Sequence, residues 1–506
     1  MAPVFESVTD AIGGTPLFRL RGLGHGIAAP VYAKAEFASV GGSVKDRAAL
    51  AMIEAAERDG TLGPGGTIVE ATSGNTGIGL TIVGRQRGYR VKIVVSDRSA
   101  QEKTDILRAY GAEVIIGSST LPRQHPDHIF NVARRLADET PGGWLADQYD
   151  NPANPLAHVR TTGPEIWQQT DGRITHFVAG VGTGGTISGA GRYLKEISAD
   201  RVRVIGADPE NSTYSGGDGS PYYVESIGHF LHPETAEDVW PESFHPDVVD
   251  SFERVSDRES LATVRRLARE DGLLAGPSSG TAVAAALRVA RTLGPSDLVV
   301  VLLPDSGRSY LSKVFSDDWM RRWGFLEEPL DGTLTLTEVL PRSGPDDGRR
   351  AADGERAPFV TVEMTATIAR ALEAAGVPAS GTGVAVAGNA ASTVGPDPAL
   401  IVASRPGRTH GVSATEVIGS VSVGRLAADL AAGRARGDDP ISGYADPPPP
   451  AIGAGQSVHD ALEALEALGP AATGPDAVLV LRDGRAHAIL TRAALASAAE
   501  RRHPVA

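Results

Sequence analysis

Short, almost wholly apolar runs that end on glycine and hydroxyl residues recur through residues 1–328 of this chain, and helical runs separate them. Thr67-Ile68-Val69-Glu70 leads into a glycine-rich turn and a helical segment from Gly77 to Gly84. Val91–Val95, a helix over Gln101–Tyr110 and Glu113–Ile116 follow, then Thr175–Ala179, Val202–Ala207 and Leu298–Leu303. Apolar strands of this length alternating with helices predict βαβ units and parallel sheets covered on both faces. Ligands in such sheets sit beyond the carboxyl ends of the strands, where the glycine-rich turns fall.

Four of those turns carry chemistry-bearing residues. Gly41-Gly42-Ser43-Val44-Lys45-Asp46-Arg47 opens an Ala-rich helical run, Ala48–Glu57. A partly desolvated lysine at a helix start is the residue type that forms a Schiff base with a carbonyl cofactor, although a solvated surface lysine has the same local sequence. Thr72-Ser73-Gly74-Asn75-Thr76-Gly77 gathers hydroxyls, an amide and backbone N–H groups at a helix start. That suits a carboxylate, or simply a capped strand-to-helix turn. Gly180-Val181-Gly182-Thr183-Gly184-Gly185-Thr186 offers amides to a phosphate, and as G-x-G-x-x-G it equally fits a dinucleotide fingerprint with Asp208 as the ribose acid. Gly276-Pro277-Ser278-Ser279-Gly280-Thr281 precedes an Ala-rich helix and reads as a turn and cap. Gln148-Tyr149 lines a pocket or packs half-buried.

The chain has 506 residues, so two or three domains are expected. From about Leu330 to Pro358 the texture changes, and Arg342–Arg356 is charged and small without apolar periodicity, a mobile connector. Beyond it Thr367–Ala374 resembles Ser457–Ala464, each a capped amphipathic helix start with later strand, turn and helix segments. The Asp438–Pro450 stretch, ending in four prolines, separates the two halves. Two similar halves packed together predict a smaller α/β domain. The boundaries read as 1–328, a linker at 329–358, and 359–506.

Charge and composition exclude other classes. A net charge of −14 argues against nucleic-acid and anionic-membrane partners. No cysteine is present, which removes disulfides, thiolate metal sites and a cysteine nucleophile. His125, His128, His229, His232 and His245 lie in Pro-rich loops without helically spaced carboxylates, so no metal site is expected. No signal peptide or membrane span is expected, which predicts a cytoplasmic protein.

Lys45 in its heptad, Thr72–Gly77, Gly182–Thr186 and Gly276–Gly280, in that order, closely resemble the cystathionine β-synthase and cysteine synthase family, pyridoxal-phosphate enzymes of the tryptophan-synthase-β fold type (fold type II). Gly13-Gly14-Thr15-Pro16-Leu17, Asp147-Gln148-Tyr149 and Leu303-Pro304-Asp305-Ser306 also match, so the resemblance spans residues 5–326. Asn154-Pro155-Leu156-Ala157-His158, the Ser312–Phe325 segment and the appended domain, which resembles a degenerate tandem pair of CBS-type motifs, are similar to the cystathionine β-synthase branch.

The resemblance implies a set of roles. Lys45 would carry pyridoxal 5′-phosphate and move the substrate's α-proton. Asn75 would bond the ring hydroxyl, Gly182, Thr183, Gly184, Gly185 and Thr186 the phosphate, and Ser278 the ring nitrogen. Thr72, Ser73, Thr76 and Gln148 would bind the substrate carboxylate, with Tyr149 beside them. A neutral serine at the ring nitrogen leaves a weaker electron sink than an aspartate does, which suits β-elimination over transamination. The implied reaction condenses L-serine with L-homocysteine to L-cystathionine and water through an aminoacrylate. The alternatives are a sulfhydrylase using O-acetylserine or O-phosphoserine with sulfide or another thiol, and a nucleotide-responsive binding protein with an inactive α/β domain.

No haem is expected, because no cysteine is present to ligate iron. Ser226-Ile227-Gly228 is followed by His229, and His229–Ala236 reads as an insertion at the pocket mouth. Family motifs that bind adenosyl ligands often place Asp three residues after Thr or Ser, whereas Thr491 is followed by Ala494 and Ser422 by Arg425. Regulation by S-adenosylmethionine is therefore expected to be weak or absent. A homodimer or homotetramer is the assembly implied by the family.

Overall fold

The structure, a computed structural model, describes residues 4–119, 121–232, 234–235, 237–327, 334–340, 359–375, 399–403, 411–468 and 476–502. It divides into two compact units, Met1–Ser316 and Asp317–Ala506.

Among its described residues the first unit contains ten strands: β1 (Leu17–Arg19), β2 (Val31–Ala35), β3 (Thr67–Thr72), β4 (Arg90–Ser96), β5 (Glu113–Gly117), β6 (Gly143–Leu145), β7 (His176–Gly180), β8 (Arg203–Pro209), β9 (Ser251–Val255) and β10 (Val299–Leu303). They form a six-stranded sheet ordered β1-β2-β10-β7-β8-β9 and a four-stranded sheet ordered β5-β4-β3-β6. Every pairing is parallel except the edge pair of β1 with β2, which is antiparallel. All six residues of β3 and all five of β10 are buried, as continuous apolar runs in parallel sheets require. The short strands β1, β2, β6 and β9 lack a strong sequence signature.

Among the described residues, nine helices cover these sheets: α1 (Lys45–Asp59), α2 (Asn75–Gln86), α3 (Gln101–Ala109), α4 (Ile129–Glu139), α5 (Ala153–Arg160), α6 (Thr162–Gln169), α7 (Gly185–Ser198), α8 (Asp257–Glu270) and α9 (Pro277–Arg291). Alanines 282, 284, 285, 286 and 290 of α9 pack with Val178, Val299 and Val301 in one core. Met52, Ile53, Ile78, Leu80, Ile68 and Ile93 form a second between α1, α2 and the smaller sheet. Each such aliphatic side chain contributes roughly 1.5–3 kcal/mol by leaving water.

Beneath the start of α1, Arg47 donates to Glu36 at 2.7 Å and to Glu165 at 2.6 Å, and Lys34 donates to Glu165 at 2.6 Å. Burial opposes ionisation of Glu165, yet Arg47 and Lys34 hold its carboxyl down to about 2. Thr15, from the Gly13–Leu17 motif, donates to Glu36 at 2.6 Å. This buried network anchors the helix that begins with Lys45. Removing one partner of such a group costs about 3–5 kcal/mol.

The second unit repeats one topology. Phe359–Glu363, Ala399–Ala403 and Val417–Ser422 form a sheet whose first pair is parallel and second antiparallel. Ala451–Gly453, Ala477–Arg482 and Arg485–Thr491 do the same. Thr367 caps the helix Ile368–Ala374, and Ser457 caps Val458–Glu466. The repeat seen in the sequence is thus a repeat of topology. Residues 334–340, within the stretch read as linker, carry a short capped helix, Leu336–Val339, whose Leu336 is buried with Val458 and Val480. The segment ahead of the second repeat, Ile441–Tyr444, packs on the first. Each repeat's core is therefore closed by the segment preceding the other. The connector read at Arg342–Arg356 lies outside the described residues.

Candidate active site

The first three glycine-rich turns run out of the carboxyl ends of their strands or pin to one, as the parallel topology dictates. Lys45 is the first residue of α1 and is half-buried. Its loop is fixed to the end of β10: Val44 N–H donates to Pro304 O at 2.8 Å, and Ser306 N–H to Gly42 O at 3.2 Å. Burial pushes the Lys45 amine down to about 8, with the Asp305 carboxylate opposing.

Asn75 begins α2 and donates its amide to Asp305 Oδ2 at 2.7 Å. Thr72 closes β3 and accepts from Gly74 N–H at 3.1 Å. The Ser73 hydroxyl lies 3.3 Å from that of Ser226. Thr76 donates to Gln148 Oε1 at 2.5 Å, and Gln148 Nε2 donates to Glu70 Oε1 at 3.4 Å. Burial, reinforced by Asp147, raises the Glu70 carboxyl to about 8, so it is protonated near neutrality. Asp147 (φ 51°) and Ser226 (φ 71°) hold left-handed backbones beside the site, a conformation costly for residues with a Cβ.

The β7–α7 loop is packed from behind. Asn154 Nδ2 donates to Thr183 Oγ1 at 3.1 Å, and the Tyr214 hydroxyl to Gly182 O at 2.8 Å. Thr186 Oγ1 lies 3.2 Å from His158 Nε2, whose other nitrogen is 2.8 Å from Thr162 Oγ1. Burial, with Arg47 and Lys45 nearby, keeps His158 neutral. Gly184 has φ +84°, and a Cβ there would stand 2.3 Å from Phe244 Cβ. Gly184→Ala is therefore expected to weaken phosphate capture at least about tenfold, because loop and Phe244 must shift apart. Equilibrium dialysis with pyridoxal phosphate checks this, and unchanged affinity would refute it.

Lys45, Gly182, Thr183, Gly184, Thr186 and Ser226 line one cavity. Gly185 faces Asn154 instead, and Tyr149 packs edge-on against Phe130 at 5.1 Å. Ser278, the second residue of α9, is 1% exposed, and its hydroxyl has no hydrogen-bond partner among the described residues. Amides at the start of α7, an amine of lowered basicity and an orphaned buried hydroxyl together fit a phosphorylated pyridine aldehyde.

Sequence reasoning assigned no role to several residues that the fold adds to the site. Asp305 was legible only as part of a motif at a strand end. Glu70, Asn154, His158 and Ser226 act through other side chains, and nothing local signals that. His229 pairs with Asp238 at 2.8 Å and packs against Tyr214, one layer behind Gly182. Pro233 and Ala236, within the stretch read as an insertion, lie outside the described residues.

Comparison with known proteins is consistent with this geometry. The family model described as pyridoxal-phosphate dependent enzyme matches residues 8–305. Cystathionine beta-synthase of Apis mellifera is 43% identical over 331 residues, covering 64% of this chain and 64% of that protein. The Oryctolagus cuniculus protein of the same name is 44% identical over 333 residues, covering 64% and 59%. The chain therefore spans about six tenths of the length of these curated relatives. Cysteine synthase of Staphylococcus aureus (strain N315) is 42% identical over 311 residues, covering 61% of this chain and 96% of that protein. Among solved structures, an O-acetylserine dependent cystathionine beta-synthase from Helicobacter pylori aligns with TM-score 0.55 and 37% identity, over 62% of this chain and 99% of that one. An O-ureido-L-serine synthase aligns with TM-score 0.56 and 37% identity, over 62% and 98%. The first unit has the fold-type-II architecture, its cofactor is pyridoxal phosphate, and the dinucleotide reading of Gly180–Gly185 is set aside. This chain belongs to the family of pyridoxal-phosphate dependent enzymes.

Proposed function

We propose that this chain catalyses β-replacement on L-serine, joining it to L-homocysteine to give L-cystathionine and water. The observation that carries the reading is Ser278, a buried neutral hydroxyl with no hydrogen-bond partner among the described residues, which would serve the cofactor's ring nitrogen. When bound, pyridoxal phosphate withdraws electrons from the α-carbon of an attached amino acid, and a neutral ring-nitrogen partner moderates that pull in favour of β-elimination.

The chain's own residues divide the remaining work. The α2 N-terminus, with Thr72, Ser73 and Thr76, receives the substrate carboxylate, where N–H groups and the helix dipole favour an anion. Gln148, held between Thr76 and Glu70, completes that cradle. Lys45 Nζ takes the α-proton, since an amine near pKa 8 can both accept and return it close to neutral pH. The Gly182–Thr186 loop holds the phosphate and thereby fixes the reacting atoms against Lys45.

Relatives named cystathionine beta-synthase support the choice of second substrate, and so does the paired-repeat unit beyond residue 316. The 96% coverage of a cysteine synthase favours a second reading, in which an activated serine reacts with sulfide. Product identification by mass spectrometry separates the two. Cystathionine from serine and homocysteine is expected with kcat/KM at least about tenfold above that for cysteine from O-acetylserine and sulfide, and the opposite ranking would reverse the assignment.

We read the second unit as a degenerate tandem pair of CBS-type motifs with a structural or oligomer-forming role in a homodimer or homotetramer. Thr491 and Ser422 accept from Ala494 N–H and Arg425 N–H and so serve as helix caps, and the position that would need an aspartate for a ribose holds Ala494 or Arg425. A cytoplasmic setting is in keeping with a lack of cysteine, and no helix among the described residues is long and apolar enough to cross a membrane.

A further inference from the structure

Asp305 lies just past β10, is 1% exposed and is the point to which three cofactor-facing loops are tied. Its Oδ2 accepts from Asn75 Nδ2 at 2.7 Å and from the Tyr310 hydroxyl at 2.5 Å. Its backbone O accepts from Gly276 N–H at 3.0 Å, two residues before Ser278, and its backbone pairs with Ser43, two residues before Lys45. Its Oδ1 has no hydrogen-bond partner among the described residues and packs on Gly276, where a Cβ would come within 2.0 Å of it. The fully buried Lys103 amine sits 4.4 Å from the Tyr310 ring centroid and 3.7 Å from Glu225. Burial raises the Asp305 carboxyl, and Lys103, Tyr310 and Asn75 partly offset that rise.

We propose that Asp305 is a positioning residue that acts through Asn75, orienting its carboxamide toward the cofactor's ring hydroxyl while tying the Lys45 and Ser278 loops to the same strand end. The bond decides the amide's orientation: Oδ2 accepts from both neighbours, so the group Asn75 turns toward Asp305 must be its nitrogen. Loss of that bond frees the amide to rotate or flip, and the ring hydroxyl loses a preset partner. Tyr310 holds the carboxylate in turn.

The inference rests on the cofactor assignment, and the test keeps the two apart. The full-length parent, Asp305→Ala, Asp305→Asn, Tyr310→Phe and Asn75→Ala, and each of the first three variants paired with Asn75→Ala, are freed of cofactor and titrated with pyridoxal phosphate. The absorbance band and dissociation constant of the bound cofactor are read. Asp305→Ala is expected to weaken binding about tenfold or more and to shift the band. Asp305→Asn, whose carbonyl accepts from the same donors, is expected to restore most of both. Tyr310→Phe is expected to move both in the same direction but less. In the Asn75→Ala background the effect of Asp305→Ala is expected to fall below about twofold, because the two act as one unit. Independent, additive effects would overturn the proposal, as would an unshifted band in Asp305→Ala. If that variant does not fold, an Asp305→Asn or Tyr310→Phe effect that persists undiminished without Asn75 would overturn it equally. A parent that gains no band would instead overturn the cofactor assignment.

Discussion

Lys45→Ala is expected to lower turnover roughly 10⁴-fold, the upper end for loss of a positioned proton-transfer group, while the protein still folds. The expected loss is large because Lys45 is the one amine among the described residues that line the cavity. Lys103 is wholly buried against Tyr310, and Lys34 is bound to Glu165 and Thr15 O. Folding survives because Lys45 contributes its backbone to the start of α1, and alanine favours a helix at least as well as lysine does. Two measurements separate this from a general loss of structure. Borohydride reduction followed by mass spectrometry should find cofactor attached at residue 45 in the parent and nowhere in the variant. Phosphate-loop affinity should change far less than turnover, since the Gly182–Thr186 amides are untouched. Attachment at another lysine, or turnover within tenfold of the parent, would remove Lys45 from the role given to it here.

Glu70→Gln is expected to make stability less dependent on pH, and the sign follows from proton counting. Burial raises the folded-state carboxyl to about 8, whereas an unfolded glutamate titrates near 4.3, so between these values the native state holds a proton that the unfolded state has lost. Stability contributed by this group is therefore fully present below about pH 4.3 and lost progressively as pH rises to about 8. At 1.36 kcal/mol per unit the full difference is roughly 3–5 kcal/mol. Glutamine carries no titrating proton. It keeps the acceptor that Gln148 uses and sets its amide where Oε2 has no partner. Urea midpoints at pH 5 and pH 8 should show the variant gaining on the parent by roughly that amount. A parent-to-variant difference constant across that range would show that Glu70 is ionised throughout. Gln148 would then be held by a charge rather than by a neutral acid.

These two residues also mark how differently the chain disclosed its site. Lys45, Asn75, Gly182–Thr186 and Ser278 stood out as candidates because each sits in a glycine- or hydroxyl-rich turn bounded by a strand and a helix, and strand-end turns in parallel sheets are where ligands bind. Their order along the chain was readable for the same reason. Glu70 gave no such signal. It occupies β3, a strand buried along its whole length, and its contacts with residues 147 and 148 join positions far apart in the chain. Asp305 was visible within a motif but without a role, because its partners lie 230 residues away at Asn75 and five at Tyr310.

The amino-acid sequence by itself determined the βαβ alternation, the position of the glycine-rich turns that carry Lys45 and Gly182–Thr186, and the repeat in the second unit, since each depends on local periodicity and on residues that set backbone turns. Only the tertiary structure decided the sheet order, with β10 inserted between β2 and β7. It also decided the seating of 334–340 and 441–444 on opposite repeats and the gathering of Lys45, Asn75 and Ser278 around Asp305. Those arrangements rest on contacts between distant residues, which hydrogen-bond and burial energies select only after the chain has closed on itself.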